Sequence, residues 1–86
     1  MRVLIGTTYE CDKPAEGQPL VVFVNQLKSL SMDPSRKLLI CHMDGGVNTM
    51  MYIPEITQEL FMEIVRLVVK GDGSYYIKGG KIYPYL

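Results

Sequence analysis

One histidine and two cysteines are the side chains of this 86-residue sequence best suited to nucleophilic or metal chemistry. Cys41 and His42 are adjacent in a predicted strand, so their side chains point to opposite faces and cannot form a dyad. His42 and Asp44 share a face, about 6.5–7 Å apart along the strand, and Asp44 could orient the imidazole. A single histidine without a placed nucleophile fills too few roles of an active site. The sequence therefore predicts a protein that is not an enzyme.

Metal ligands with a recognisable spacing are also missing from the sequence. It contains no Cys-x-x-Cys, and Cys11, Cys41 and His42 are too scattered to match a known ligand pattern. Glu59 and Glu63 lie four residues apart on a predicted helix, but they belong to a polar stripe that two basic residues continue. We expect neither a metal site nor a cofactor.

The overall composition narrows the class of protein further. Nine Lys and Arg balance nine Asp and Glu, which argues against general nucleic-acid binding. No apolar run approaches the ~18 residues needed to cross a bilayer, and the N-terminus is too quickly polar for a signal peptide. Residues 1–86 are predicted to form a single domain in a cytoplasmic, reducing environment, with both cysteines as buried thiols.

The hairpin sequence Lys78-Gly79-Gly80-Lys81 offers a possible anion site. A two-residue turn places the lysines directly opposite each other, where like charges are unfavourable. The amides of a glycine turn can bind an anion, and nearby tyrosines could stack on a base. The predicted ligand-binding residues are Lys70, Tyr76, Lys78, Gly79, Gly80, Lys81 and Tyr83. Alternatively, the lysines only solubilise an exposed turn and protect a sheet edge.

Tyrosine is distributed unevenly, since four of the six tyrosines follow Gly73. Tyrosine is enriched at protein interfaces because it combines a large contact area with a polar hydroxyl. The sequence therefore favours a small non-catalytic protein that acts through protein–protein contacts, as an inhibitor or adaptor and as a homo-oligomer. The alternative is a module that sequesters a phosphate-bearing small molecule, such as a nucleotide or second messenger, at the Lys78–Lys81 turn.

The elements that would position these residues begin with a strand over 2–9 and a polar loop over 10–18. Residues 19–30 are ambiguous, because their apolar spacing suits a helix while Leu20–Val24 also suits a buried strand. We expect residues 19–30 to form the helix. Residues 37–43 and 47–53 are predicted to form a hairpin around two adjacent glycines.

The clearest predicted element is a helix over Thr57–Lys70, with Thr57 as its N-cap and Gly71 as a left-handed C-cap. Its polar stripe is narrow, which predicts burial on most of its circumference and suggests a second layer such as another subunit. A second hairpin follows over 75–78 and 81–83, and Pro84 suits an edge strand. The resulting order is β-α-β-β-α-β plus a C-terminal strand, so the predicted fold class is a small α+β sandwich of the ferredoxin-like type.

Overall fold

The structure, a computed structural model, describes residues 1–85, and 55% of the chain lies in strands. In chain order, the elements are β1 (Val3–Glu10), β2 (Lys13–Phe23), a 3-10 turn (Val24–Gln26), β3 (Leu27–Asp33), β4 (Leu38–Met43), β5 (Asn48–Tyr52), α1 (Gln58–Lys70), β6 (Ser74–Lys78) and β7 (Lys81–Tyr85). α1 is not long and apolar enough to cross a membrane, and no other helix within residues 1–85 is either.

Strand β1 is the centre of the sheet. One of its edges pairs antiparallel with β2 along its whole length. The other edge pairs in parallel with β6 at Leu4 and Ile5, then antiparallel with β5 at Thr7 and Thr8. The strand order is β3-β4-β5-β1-β6-β7, with β2 also paired to β1. Because β2 continues through the 3-10 turn into β3, the sheet curls into a mixed half-barrel.

The ferredoxin-like prediction is wrong, because residues 19–30 do not form a helix. They form the end of β2, the 3-10 turn and the start of β3. Strand β2 pairs with β1 from Val3↔Phe23 to Glu10↔Lys13, and this pairing overrides the apolar spacing that suggests a helix. A β-branched run that pairs with a whole neighbouring strand satisfies its backbone and packs on the sheet, and both gains depend on tertiary context.

The predicted loop over 10–18 is likewise mostly strand. Cys11 and Asp12 turn the chain with φ values of 54° and 61°, and β2 begins at Lys13. Residues 16–18 of β2 have no partner on β1 and produce a register shift, since Thr7 pairs with Pro19 while Thr8 pairs with Ala15. Polar and proline-containing sequence is tolerated here because a bulge leaves residues 16–18 out of the ladder.

Helix α1 covers the inner face of the sheet, and the predicted helix is confirmed. Its predicted burial on most of its circumference is not found in the single chain, where Leu60 and Ile64 are its buried residues. Thr57 caps it by accepting a hydrogen bond from the Leu60 amide at 3.1 Å. Of Leu60 and Ile64, Ile64 is the more completely buried. The core that they complete consists of Leu4, Val22, Leu39, Cys41, Met51, Ile53, Ile56, Leu60 and Ile64. Both predicted hairpins are also confirmed, as β4–β5 and β6–β7.

Gly71 ends α1, but not in the predicted left-handed conformation, since its φ is −77°. A Cβ at this position would lie 2.5 Å from the Leu67 carbonyl oxygen and 2.7 Å from the Tyr75 hydroxyl. Glycine is therefore required here for the close approach of two oxygen atoms rather than for a positive φ.

Arg2 joins the N-terminus to the end of α1. Its guanidinium donates to the carbonyl oxygens of Gly73 at 2.9 Å, Val68 at 3.2 Å and Leu67 at 3.1 Å. The last carbonyls of a helix lack intrahelical partners and carry partial negative charge. A cation from a residue 65 positions earlier in the chain therefore caps this helix.

Candidate functional site

The β6–β7 hairpin forms as the sequence predicts. Gly79 and Gly80 have φ values of 59° and 75°, which a two-residue turn of this kind requires at both central positions. Lys78 and Lys81 are directly opposite each other. Two pairs along the strands, Tyr76 is opposite Tyr83, and their rings stack with centroids 5.0 Å apart and planes 18° apart.

The tyrosine pair is part of a row that crosses four strands. Tyr83 is paired with Tyr76, Tyr76 with Ile5, and Ile5 with Val21. Directly paired residues share a face of the sheet, so the row lies on one side. Leu4 and Val22, which alternate with Ile5 and Val21, point into the core beneath α1. The row therefore lies on the outer face, away from the helix.

A second pair, Val3 with Phe23, lies beside this row on the same face. The six side chains form what we call the outer-face patch: Val3, Ile5, Val21, Phe23, Tyr76 and Tyr83. Val21 is 47% exposed, Phe23 41% and Tyr83 37%, and the other three are partly exposed. Apolar side chains that are contiguous and solvent-accessible mark interaction surfaces more often than scattered ones do.

The two hairpin lysines extend the outer-face patch at one end. Alternate residues of a strand share a face, so Lys78 lies on the same side as Tyr76, and Lys81 on the same side as Tyr83. Both lysines are exposed. The turn also approaches Glu55, since a Cβ on Gly80 would lie 3.0 Å from the Glu55 Cβ. The aliphatic part of the Glu55 side chain therefore lies beside the tip of the hairpin, and within residues 1–85 Glu55 forms no ion pair with Lys78 or Lys81.

Lys70 does not join the other predicted ligand-binding residues. It lies at the end of α1, on the inner side of the sheet and close to where β6 begins. The length of β6 separates Ser74 from Lys78, about 13 Å at the usual rise per residue. The structure thus brings together Tyr76, Lys78, Gly79, Gly80, Lys81 and Tyr83, but not Lys70.

A shallow cavity of about 330 Å³ lies next to this group, between β1, β2 and β6. Tyr76 and Lys78 line it, together with Ile5, Thr7 and Gln18. Its volume is at the lower end of the range found for small-molecule sites. The cavity combines an aromatic ring, a cation and polar groups in a space that suits a small ligand.

His42 has different partners from the one that the sequence suggests. Its Nε2 lies 2.8 Å from the Ser31 hydroxyl and its Nδ1 lies 2.9 Å from Asn48 Oδ1. Since the Asn48 oxygen can only accept, Nδ1 carries a proton in this arrangement, and Nε2 accepts from Ser31 when the ring is neutral. Asn48, not Asp44, orients the imidazole.

This Ser31–His42–Asn48 chain resembles the connectivity of a nucleophile, a base and an orienting group. Acyl transfer also requires donors for an oxyanion and a cleft that excludes water. Neither the cavity described above nor the larger groove beside α1 is lined by any of the three residues. The arrangement satisfies three polar side chains on the outer face and adds no argument for catalysis.

The hairpin register could have revealed Asn48 in advance, because a turn after Met43 places residue 48 opposite His42. Ser31 cannot be found in the same way, because it lies on β3 and the sequence predicts that residues 19–30, just before it, form a helix. The aliphatic half of the outer-face patch was missed for a related reason. The parallel pairing of Ile5 with Tyr76 joins residues 71 positions apart, and no local pattern reveals it.

The prediction of two buried thiols is half correct. Cys41 is buried in the core, whereas Cys11 is exposed in the β1–β2 turn. Burial raises the pKa of the Cys41 thiol from 9.0 to about 12, because the charged thiolate is poorly solvated there. Cys41 therefore keeps its proton near neutral pH and acts as a small apolar side chain.

Comparisons with known proteins add no constraint, since no family model, no curated protein and no solved structure matches the chain. Within residues 1–85 no three His, Cys, Asp or Glu side chains group closely enough to hold a metal ion. The outer-face patch and its adjoining cavity are the candidate site.

Proposed function

We propose that this protein is a non-catalytic binding module, an inhibitor or adaptor, that docks a partner protein on its outer-face patch. The observation that supports this proposal most directly is the Tyr83–Tyr76–Ile5–Val21 row, which crosses four strands on the face that the helix leaves uncovered. Stacked tyrosines lose little side-chain entropy on binding and supply both apolar area and hydroxyl groups.

The charges around the outer-face patch indicate what the partner surface should look like. Lys78 and Lys81 lie at the hairpin end of the patch, on the same face as the tyrosines. An apolar partner surface with carboxylates along one side would match both features. The lysines would then contribute mainly to the association rate and its salt dependence, while the tyrosines would contribute most of the affinity.

The Tyr76→Thr/Tyr83→Thr variant tests this proposal, because threonine preserves strand propensity while it removes both rings. Partners retained from a lysate of the source organism would be identified, and their Kd measured against each variant. We expect the double variant to weaken binding about thirtyfold or more, the effect of losing an aromatic hot spot. Val47→Thr is the matched control, since Val47 is 61% exposed and lies outside the patch. Equal Kd values for the double variant and the wild type would contradict the proposal.

A phosphate-bearing small molecule is the second candidate partner, and the 330 Å³ cavity beside Tyr76 and Lys78 is the observation that favours it. A thermal-shift screen with nucleotides and cyclic nucleotides tests this alternative. A ligand present at 100 times its Kd stabilises the folded state by ~2.7 kcal/mol, which such a screen detects. The shift should disappear in Lys78→Ala/Lys81→Ala. If no nucleotide raises the melting temperature of the wild type, this alternative is wrong.

A further inference from the structure

Helix α1 leaves apolar side chains in solvent on the flank that faces β3. Val69 is 72% exposed and Met62 54%, and Val65 lies between them on the same flank at helical spacing. A helix that packs only against its own sheet has no need for an exposed methionine and an exposed valine two turns apart on one flank. The single chain therefore leaves this flank of α1 unpartnered.

The exposed flank borders an open groove of about 830 Å³ between the second half of α1 and β3. Apolar residues contribute most of its walls: Val24, Leu27, Leu30, Val65, Val68 and Val69. Met1, 86% exposed, lies at its rim. The flank and the apolar walls of the groove adjoin and form one surface, on the opposite side of the sheet from the outer-face patch. The lining of the groove is completed by Arg2, Asn25, Lys28 and Ser29.

The charges on the solvent side of α1 are arranged by sign along the helix, and Glu59 and Arg66 lie nearest the exposed flank. Glu59 and Glu63 occupy the first half of α1 and Arg66 and Lys70 the second, and all four are exposed. Within each half, like charges lie four residues apart, a spacing that slightly destabilises a helix. The one ion pair in the described part of the chain joins Asp33 to Arg36, so none of the four helix charges has an opposite charge within 4 Å there.

We propose that a second copy of the chain covers this surface, with the two α1 helices antiparallel about a twofold axis. An antiparallel pair places the acidic first half of each helix opposite the basic second half of the other. Glu59 and Arg66, the charges nearest the apolar flank, then face each other across the twofold axis. A parallel pair would instead oppose acid to acid and base to base. The order of acidic and basic residues along α1 therefore favours a second copy of the chain as the partner, with the two helices antiparallel. The apolar flank of each helix then enters the groove of the other.

The size of the surface fits this arrangement. An interface of standard size buries about 800 Å² on each partner. The 13-residue helix is only ~20 Å long and would be short for that alone. Because the groove extends the apolar surface from α1 onto β3, the contact includes two elements of each copy. A twofold interface of this kind is closed, so it produces dimers rather than filaments.

Charge-reversal variants with complementary signs test the dimer. Sedimentation equilibrium of the wild type should give twice the 9.7 kDa chain mass. Glu59→Lys and Arg66→Glu should each raise the dimer Kd by about tenfold or more, because each places like charges across the twofold axis. An equimolar mixture of the two variants should recover wild-type affinity, since every cross-pair is then attractive.

Val69→Glu is an independent test, because it places a carboxylate on the exposed apolar flank of α1. Val69 is exposed in the single chain, so the variant should keep its circular dichroism spectrum while the dimer dissociates. Val47→Glu is the matched control, because Val47 is also exposed but lies in the β4–β5 turn. A monomeric wild type would overturn the proposal. So would variants that stay dimeric alone, or a mixture that fails to recover affinity.

The dimer does not depend on the partner-docking function proposed above, because the two surfaces lie on opposite sides of the sheet. Tyr76→Thr/Tyr83→Thr should remain dimeric, and Val69→Glu should still bind the docked partner. If the tyrosine variant alone dissociated the dimer, the interface would lie on the outer-face patch, and the arrangement of helices would be wrong.

Discussion

Replacing Gly6 with alanine should lower the free energy of unfolding by about 1–3 kcal/mol, the usual effect of overpacking a core. Backbone propensity alone predicts the opposite sign, because glycine within a strand is less favourable than alanine by roughly 0.5–1 kcal/mol. The clash decides the outcome. A Cβ on Gly6 would lie 2.6 Å from Met51 Cγ and 3.0 Å from Met51 Cε, and Met51 is fully buried. Urea denaturation of the wild type and the variant measures the difference.

Two further variants separate the clash from other effects at Gly6. Gly73→Ala is the matched control, since its Cβ would make only ordinary contacts, at 3.6 Å or more, and its stability should change little. In a Met51→Ala background the cost of Gly6→Ala should largely vanish, because the obstructing atoms are gone. A stabilising Gly6→Ala, or one that costs the same in both backgrounds, would show that Met51 does not restrict this position.

Replacing Arg2 with alanine should cost about 2–3 kcal/mol of stability. The change removes three hydrogen bonds from a charged donor, and bonds of this kind contribute about 1.5–3 kcal/mol each when buried, less where water can replace them. It also removes a cation from the negative end of the helix dipole. An 86-residue domain has roughly 4–13 kcal/mol in total, so the loss would be conspicuous in thermal or urea unfolding.

Arg2→Lys distinguishes geometry from charge at this position. Lysine keeps the cation but lacks the planar fork that reaches the carbonyls of Leu67, Val68 and Gly73 together, so its stability should fall between those of wild type and Arg2→Ala. Arg36→Ala is the control, because Arg36 pairs with Asp33 at the surface and the loss should be smaller. If Arg2→Ala cost no more than Arg36→Ala, the capping role of Arg2 would be refuted.

The two proposed surfaces of the molecule follow from how its sheet is covered. Helix α1 covers the inner face, so the side chains that alternate with the core residues of β1 and β2 are left partly or largely in solvent on the outer face. With a single helix, the flank facing β3 is left open as well. The two-helix fold predicted from the sequence would have placed a second helix beside α1 on the same face of the sheet. The missing first helix therefore explains the open flank of α1, whereas the outer face would have been left uncovered in either fold.

Local sequence signals predicted several elements accurately. Thr57 and the four-residue spacing of charges defined α1, since capping and helical periodicity act within a few residues. The paired glycines defined both hairpins because their positive φ values are a local requirement. Once the β6–β7 register was known, the pairs Tyr76–Tyr83 and Lys78–Lys81 followed directly. That half of the candidate site was therefore visible in the sequence.

Tertiary structure alone decided the rest. Leu20–Val24 has apolar spacing for a helix and β-branched residues for a strand, and only the full-length pairing with β1 resolves the ambiguity. Two contacts join residues far apart in the chain: Ile5 pairs with Tyr76, and Arg2 contacts the end of α1. A third, the hydrogen bond between Ser31 and His42, depends on the formation of β3. The sequence by itself determined the two glycine turns and the Thr57 cap, because these depend on neighbouring residues. The fold class and the two surfaces depended on which strands pair, and pairing is an energetic outcome of the whole chain.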